Sequence, residues 1–316
     1  MSSRENDKKN ILIIVIAAVV FFAAIIVFLV CYFNGRDNSE DASADLTERQ
    51  TEIITQSETT TEATTEETTA EIEATTVLEP LEVLKSMQSY LDQNSDTVGW
   101  IKVDGTSINN VVVQCDNNDY YLEHDFNGNY SQPGTIFADY RCVVSDYSFN
   151  QSDNIIIYGH NQADGTMFGT LQKYKVTKQN TSRFDFYLEH PTFTFSTLYE
   201  EYTYKIVAIF IAEADTSQTR DGVIFDYHNY ILFGANGRTY DMFMDNINER
   251  TEIITGVDVQ EGDQFMTLST CSNEFEPSRF VVIGRKVHEG EDPTVDTSQA
   301  YLNTDAKEPD WDFIYS

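Results

Sequence analysis

Thr267-Leu268-Ser269-Thr270-Cys271 ends in a thiol, and Ser278-Arg279-Phe280-Val281-Val282, a few positions on, opens with a guanidinium. Earlier in the chain, Ile157-Tyr158-Gly159-His160-Asn161 carries an imidazole at a comparable place. Each group begins or ends a short apolar run bounded by turn residues, the pattern of a β-strand. Strand ends hold side chains rigidly, as a reactive site requires. A cysteine supplies a nucleophile, a histidine a proton carrier and an arginine a fixed positive charge. Taken singly, Cys271 reads as a packed thiol, His160 as a solvated loop residue and Arg279 as a surface charge. Together they form a chemically complementary set, and Gly159 and Gly165 beside His160 let backbone come close to a ligand.

Similar runs recur on either side of these three. They are Gly99–Val103 before an Asp104-Gly105 turn, Val111–Gln114, Thr135–Ala138, Asn154–Tyr158, Thr192–Thr197, Tyr204–Ala212, Phe265–Ser269 and Phe280–Arg285. Eight or so short strands with few helices between them predict a mainly β fold, a closed or nearly closed barrel. Leu81, Leu84, Met87 and Leu91 recur at helical spacing behind Pro80 and predict an entry helix ending near Asn94. Met167, Leu171 and Tyr174 form a short helical stripe. Tyr240, Phe243, Met244 and Ile247 form a longer one just before the Cys271 strand, with Phe243 and Ile247 packing on the barrel.

The two ends of the chain differ from this middle. Ile11 to Phe33 has neither charge nor proline. At about 1.5 Å per residue it spans about 34 Å, enough for a bilayer core. It is longer than the apolar region of a secretory signal, and no small-x-small cleavage site follows, so an uncleaved anchor is expected over residues 11–33. Arg4, Lys8 and Lys9 precede it and only Arg36 follows closely, which puts residues 1–10 in the cytoplasm and the rest outside the cell membrane, single-pass. Residues 34–79 read as a disordered tether, with twelve threonines between Asp37 and Glu79 among many glutamates. One domain is expected over residues 80–288, long enough for a single sizeable core. Residues 289–316 are polar and acidic, with a late aromatic cluster of Trp311, Phe313 and Tyr315, and read as a disordered tail in preference to a docking strip or lid.

The formal net charge of −32 and the lack of a basic stripe argue against a nucleic-acid partner. Four cysteines do not make a disulfide scaffold. Cys31 falls in the apolar span, and Cys115 and Cys142 are most simply buried small hydrophobes. No Cys/His spacing matches a zinc site, so neither a metal nor a cofactor is expected.

Several further segments carry a family likeness. Asp96-Thr97-Val98-Gly99-Trp100-Ile101, Val112-Val113-Gln114, Tyr120-Tyr121-Leu122 and Gly134-Thr135-Ile136-Phe137-Ala138-Asp139 resemble the first half of class B sortases, the membrane-anchored cysteine transpeptidases of Gram-positive bacteria. Tyr158-Gly159-His160-Asn161 with Asp164-Gly165-Thr166-Met167-Phe168 resembles the family's His segment. Thr267–Cys271 and Arg279-Phe280-Val281-Val282 resemble its Cys and Arg strands, in the family's order. The likeness covers essentially the whole domain. It departs at Asn109-Asn110-Val111, where relatives often carry an aromatic-proline pair, and at Ser272, where some carry an acid.

The resemblance implies an eight-stranded barrel with an N-terminal helix and a helix before the Cys strand. It implies that Cys271 attacks a C-terminal sorting signal of the NPxTx type, that His160 protonates the leaving amine, and that a thioester forms. A cell-wall precursor amine, or one on another protein such as a pilin subunit, then resolves it. Arg279 would serve the oxyanion or grip the substrate backbone. Ser269, Thr270 and Asn161 are the candidates for substrate binding, although the Ser269 hydroxyl equally fits a structural hydrogen bond. The aromatic loop before the second helix, with Phe225, Tyr227, Tyr230 and Phe233, is expected to wall the peptide groove. Two other readings compete. A papain-like protease would place Cys before His, opposite to the order here. A stalked surface-binding protein fits the anchor and tether but leaves the three-residue set unexplained.

Overall fold

The computed structural model describes residues 81–144, 151–177 and 180–316. All of these belong to Ala70–Ser316, the second of two units into which the chain divides. The expected membrane span and tether lie outside the described residues. Among the described residues, no helix is long and apolar enough to cross a membrane.

The barrel strands are β1 (Thr97–Lys102), β2 (Asn109–Val113), β3 (Phe137–Ala138), β4 (Asn154–Tyr158), β5 (Thr192–Thr197), β6 (Glu201–Glu213), β8 (Phe265–Cys271) and β9 (Ser278–Lys286). They close in the order β1-β2-β3-β4-β8-β9-β6-β5. β7 (Ile253–Ile254) stands apart and pairs with β10 (Tyr301–Leu302). All eight expected runs are barrel strands, and β4 and β5 have the expected limits. In β5 the alternation Thr-Phe-Thr-Phe sends Phe193 and Phe195 inward, as a period of two requires. Most neighbours are antiparallel, but β4 runs parallel to β8, Asn154 opposite Phe265 through Tyr158 opposite Ser269.

β8 and β9 are buried along nearly their whole length. A two-sided cover explains their continuous apolar sequence. One face looks into the barrel, and the other receives a helix, Tyr240–Arg250, whose N-cap Thr239 accepts from the Met242 amide. Phe243 of this helix lies 5.2 Å from Phe265 and 5.2 Å from Phe233, ring centre to ring centre. Burying an aromatic side chain of this kind contributes about 1.5–3 kcal/mol.

The entry helix is α1 (Lys85–Gln93), and in chain order α2 (Phe184–Glu189), α3 (Tyr240–Arg250) and α4 (Trp311–Ile314) follow. α1 ends at Asn94 as expected, but Leu81 and Leu84 precede it. Pro80 lies outside the described residues. The Asn94 side chain donates to the Tyr121 hydroxyl and the Phe126 carbonyl, so the helix end is tied to the loop after β2.

The acidic C-terminus is not a disordered tail. β10 pairs with β7, the Asn303 amide bonds the Glu252 carbonyl, and Ala306 is buried. Glu291 bridges Lys205 and Arg285, which hold its carboxyl far below the usual carboxylate range. The acidity that suggested solvation instead meets cations supplied by the barrel. Cys115 and Cys142 are free, and burial pushes the Cys142 thiol well above its ordinary value.

Candidate active site

Cys271 is the last residue of β8, and β9 begins at Ser278, so the two strands form a hairpin with Ser272–Pro277 as its turn. The ladder sets Cys271 directly opposite Arg279. One guanidinium nitrogen, Nη1, lies 3.9 Å from the Cys271 sulfur and is steadied by the Ser278 carbonyl at 3.0 Å.

His160 arrives from the parallel neighbour β4. Tyr158 is opposite Ser269, and the Gly159 amide donates to the Ser269 carbonyl. Gly159 is needed here because a Cβ would stand 2.9 Å from the buried Phe168 ring. The His160 Nε2–H donates to the Leu122 carbonyl at 2.9 Å. That bond fixes the neutral tautomer and makes Nδ1 the basic nitrogen.

His160, Cys271 and Arg279 line one cleft of about 480 Å³, together with Leu122, Tyr158, Ile224, Phe225 and Tyr227. The substrate-binding candidates fare differently. Thr270 lines the cleft, and its hydroxyl oxygen is buried without a hydrogen-bond partner among the described residues. Ser269 also lines it but is 1% exposed, and its hydroxyl is engaged by the Tyr227 hydroxyl at 2.7 Å. Asn161 does not line this cleft. Its amide nitrogen donates to the Cys271 carbonyl at 2.9 Å, joined there by Gln172 at 3.2 Å. Asn161 therefore holds the Cys271 backbone from a neighbouring segment.

The aromatic loop divides. Phe225 and Tyr227 line the cleft, whereas Tyr230 and Phe233 pack with Phe243 away from it. Burial pushes the Tyr227 hydroxyl up to about 12, with Ser269 and Arg279 opposing the rise.

A buried ion pair beside the cleft was not singled out in the sequence. Asp139, fully buried just after β3, receives Arg141 through Nε at 2.9 Å and Nη2 at 2.8 Å, and the Tyr158 hydroxyl at 3.0 Å. Arg141 reaches on to the Asn229 side chain and the His228 carbonyl in the loop ahead of α3. Burial alone would raise the Asp139 carboxyl, but Arg141 holds it below its ordinary value. The available signal was an acid directly after an apolar strand with an arginine two residues on.

On the far side of Cys271 a second cleft, of about 540 Å³, is bordered by Asn161, Gln172, Lys175, Arg183, Ser272 and Glu274. Lys175 donates to the Ser272 carbonyl at 2.6 Å and pairs with Glu274 at 3.0 Å. Burial lowers its pKa despite that partner.

This barrel, with a thiol facing a guanidinium at one rim, defines a cysteine transpeptidase of the sortase type. The sortase domain model matches residues 101–287, and the chain belongs to the sortase family. Sortase B of Listeria monocytogenes is 31% identical over 208 residues, 65% of this chain and 76% of the relative. Sortase B of Staphylococcus aureus is 33% identical over 196 residues, 61% of this chain and 71% of the relative. Among solved structures, the Staphylococcus aureus sortase B–substrate complex superposes with a TM-score of 0.53 at 30% identity, covering 65% of this chain and 86% of that one. Within the family the chain groups with class B.

Proposed function

We propose that this protein cleaves a C-terminal sorting signal of the NPxTx type and transfers the new carboxyl end to an amine. The observation that carries this reading is the in-register opposition of Cys271 and Arg279 in the cleft that His160 also lines. His160 takes the Cys271 thiol proton at Nδ1, the resulting thiolate adds to the scissile carbonyl, and Arg279 neutralises the oxyanion. One such donor is worth about 2.7–4 kcal/mol of barrier. His160 gives a proton to the departing amine as the tetrahedral intermediate collapses to a thioester. An incoming amine adds to the thioester, His160 takes its proton, and the thiolate leaves. Atoms and charge return to the starting enzyme. Thr270, with its unpartnered hydroxyl, is suited to bond the peptide backbone.

The Staphylococcus aureus relative, solved as a substrate complex, supports a peptide partner. The second cleft offers the acceptor amine a separate approach, since Asn161 and Gln172, which border it, both touch the Cys271 carbonyl. The acceptor is read as a cell-wall precursor. Membrane attachment through residues 11–33, with the catalytic domain outside the cell, belongs to the same reading.

The test is to incubate the protein with a panel of sorting peptides and candidate amines and read product masses. A mass equal to the N-terminal fragment joined to an amine, absent with Cys271→Ala, is the expected result. Turnover that survives Cys271→Ala would overturn the reading.

A further inference from the structure

The family match stops at residue 287, yet the chain beyond it returns to the active-site rim. After Glu291 is caught by Lys205 and Arg285, the segment crosses the end of α3, where the Lys307 amide bonds the Glu249 carbonyl. It finishes as α4, lying on the β8–β9 turn. Trp311 packs edge-on against Phe275 with centroids 5.6 Å apart, and the Tyr315 hydroxyl donates to the Glu274 carbonyl at 2.6 Å. Phe275 is only 8% exposed although it sits in a hairpin turn.

The other side of α4 grips a different loop. Asp310 pairs with Arg220, whose guanidinium also lies 5.3 Å from the Phe313 ring centre. Arg220 belongs to the connection from β6 to α3, which supplies Ile224 and Phe225 to the cleft. The same connection reaches back to the turn through Gln218, which donates to the Pro277 carbonyl at 2.7 Å. Turn, connection and C-terminal segment thus close a ring of contacts around the Arg279 side of the rim.

We propose that residues 308–316 act as a brace that keeps the β8–β9 turn in place, with Trp311 and Tyr315 as positioning residues for the transfer reaction. The physical reason lies in where the reactive pair sits. Cys271 and Arg279 form the last paired positions of their strands. Beyond them only Ser272 and Ser278 join the hairpin, amide to carbonyl at 3.2 Å and hydroxyl to hydroxyl at 2.6 Å, so the end of the ladder is the part that opens most readily. Misplacing a reacting group by about 1 Å costs roughly 100-fold in rate. Lys175 holds the turn from the side of the second cleft, Gln218 from the β6 connection, and α4 from outside.

The experiment compares the full chain with a deletion of residues 308–316, which leaves β10 and Ala306 intact, and with Trp311→Ala and Trp311→Phe. Four quantities are read: kcat and KM on a sorting peptide, the rate at which iodoacetamide labels Cys271 (mapped by mass), and Tm. The deletion and Trp311→Ala should lower kcat about tenfold or more, with KM within about twofold, because the pair is misaligned while the cleft survives. Labelling should slow several-fold as Arg279 leaves the sulfur. Trp311→Phe, or a synthetic peptide of residues 308–316 added to the deletion, should restore both. Unchanged kcat and labelling in the deletion overturn the proposal. So does a loss that tracks a lower Tm and is not rescued by the peptide. The proposal rests on the transpeptidase reading only for the peptide assay. If the full chain turns over no peptide, that reading fails, and the labelling comparison still decides the brace.

Discussion

Arg279 stands opposite Cys271 in the final rung of the β8–β9 hairpin, its Nη1 3.9 Å from the sulfur. A lysine there would keep the charge but lose the planar fork, and its ammonium would sit at a different depth. Arg279→Lys should therefore lower kcat/KM by about 100- to 1,000-fold. Tm should barely move, since Arg279 is only half-buried. Steady-state kinetics beside a thermal melt check this, and near-normal turnover would remove Arg279 from the reaction.

His160→Gln separates the two duties of the imidazole. The glutamine amide can still donate to the Leu122 carbonyl that now receives Nε2–H, but it cannot carry a proton. The fold should survive while kcat falls about 100- to 10,000-fold. Retention of more than a tenth of the rate would mean that another group moves the proton.

Ser269→Ala tests whether that hydroxyl serves substrate or structure. Its bond to Tyr227 is buried, so the variant strands a phenol hydroxyl away from water and should cost about 1–3 kcal/mol in urea denaturation. Pairing it with Tyr227→Phe should recover much of the loss, and the ranking of accepted peptides should stay the same. A changed ranking without a stability loss would return Ser269 to the substrate.

Asp139 gives the domain an acid-sensitive element. Its carboxyl titrates below its unfolded value of about 3.9, so the stabilisation is fully present above that value and is lost as pH falls through the lower folded one. Asp139→Asn removes this dependence and leaves Arg141 partly buried beside a neutral amide. Stability near neutral pH should drop by roughly 3–5 kcal/mol, and the acid limb of the stability curve should flatten. Urea melts across the acid range, compared with the unaltered protein, decide it. An acid limb of equal steepness in both would assign acid lability to other carboxylates.

Much of this could be read from residue order alone. The run Asn154–Tyr158 and the alternation of Thr192–Thr197 are strands with those limits, because burial on two faces and on one face leave different periodicities. Three kinds of information were not legible. Leu81 and Leu84 match a helical stripe, but the helix starts only at Lys85, a boundary that packing decides. Asn161 looks like a ligand for substrate because nothing local reveals that its partner is the Cys271 carbonyl, far along the chain. The tail reads as disordered because its acids count as solvating until Lys205, Arg220 and Arg285 are known to face them.

The parallel pairing of β4 with β8 has a consequence for how this site tolerates change. His160 lies two residues past Tyr158, and Cys271 lies two past Ser269, its ladder partner. His160 and Cys271 are thus placed by counting along adjacent rails from a shared rung. The stretch of chain between them does not enter that count. Insertions in exposed loops between β4 and β8, such as the one around residues 180–182, should leave the pair aligned, provided that β5, β6 and the segments carrying Asn161, Gln172, Lys175 and Gln218 are spared. One residue added inside either rail would turn His160 or Cys271 to the opposite face.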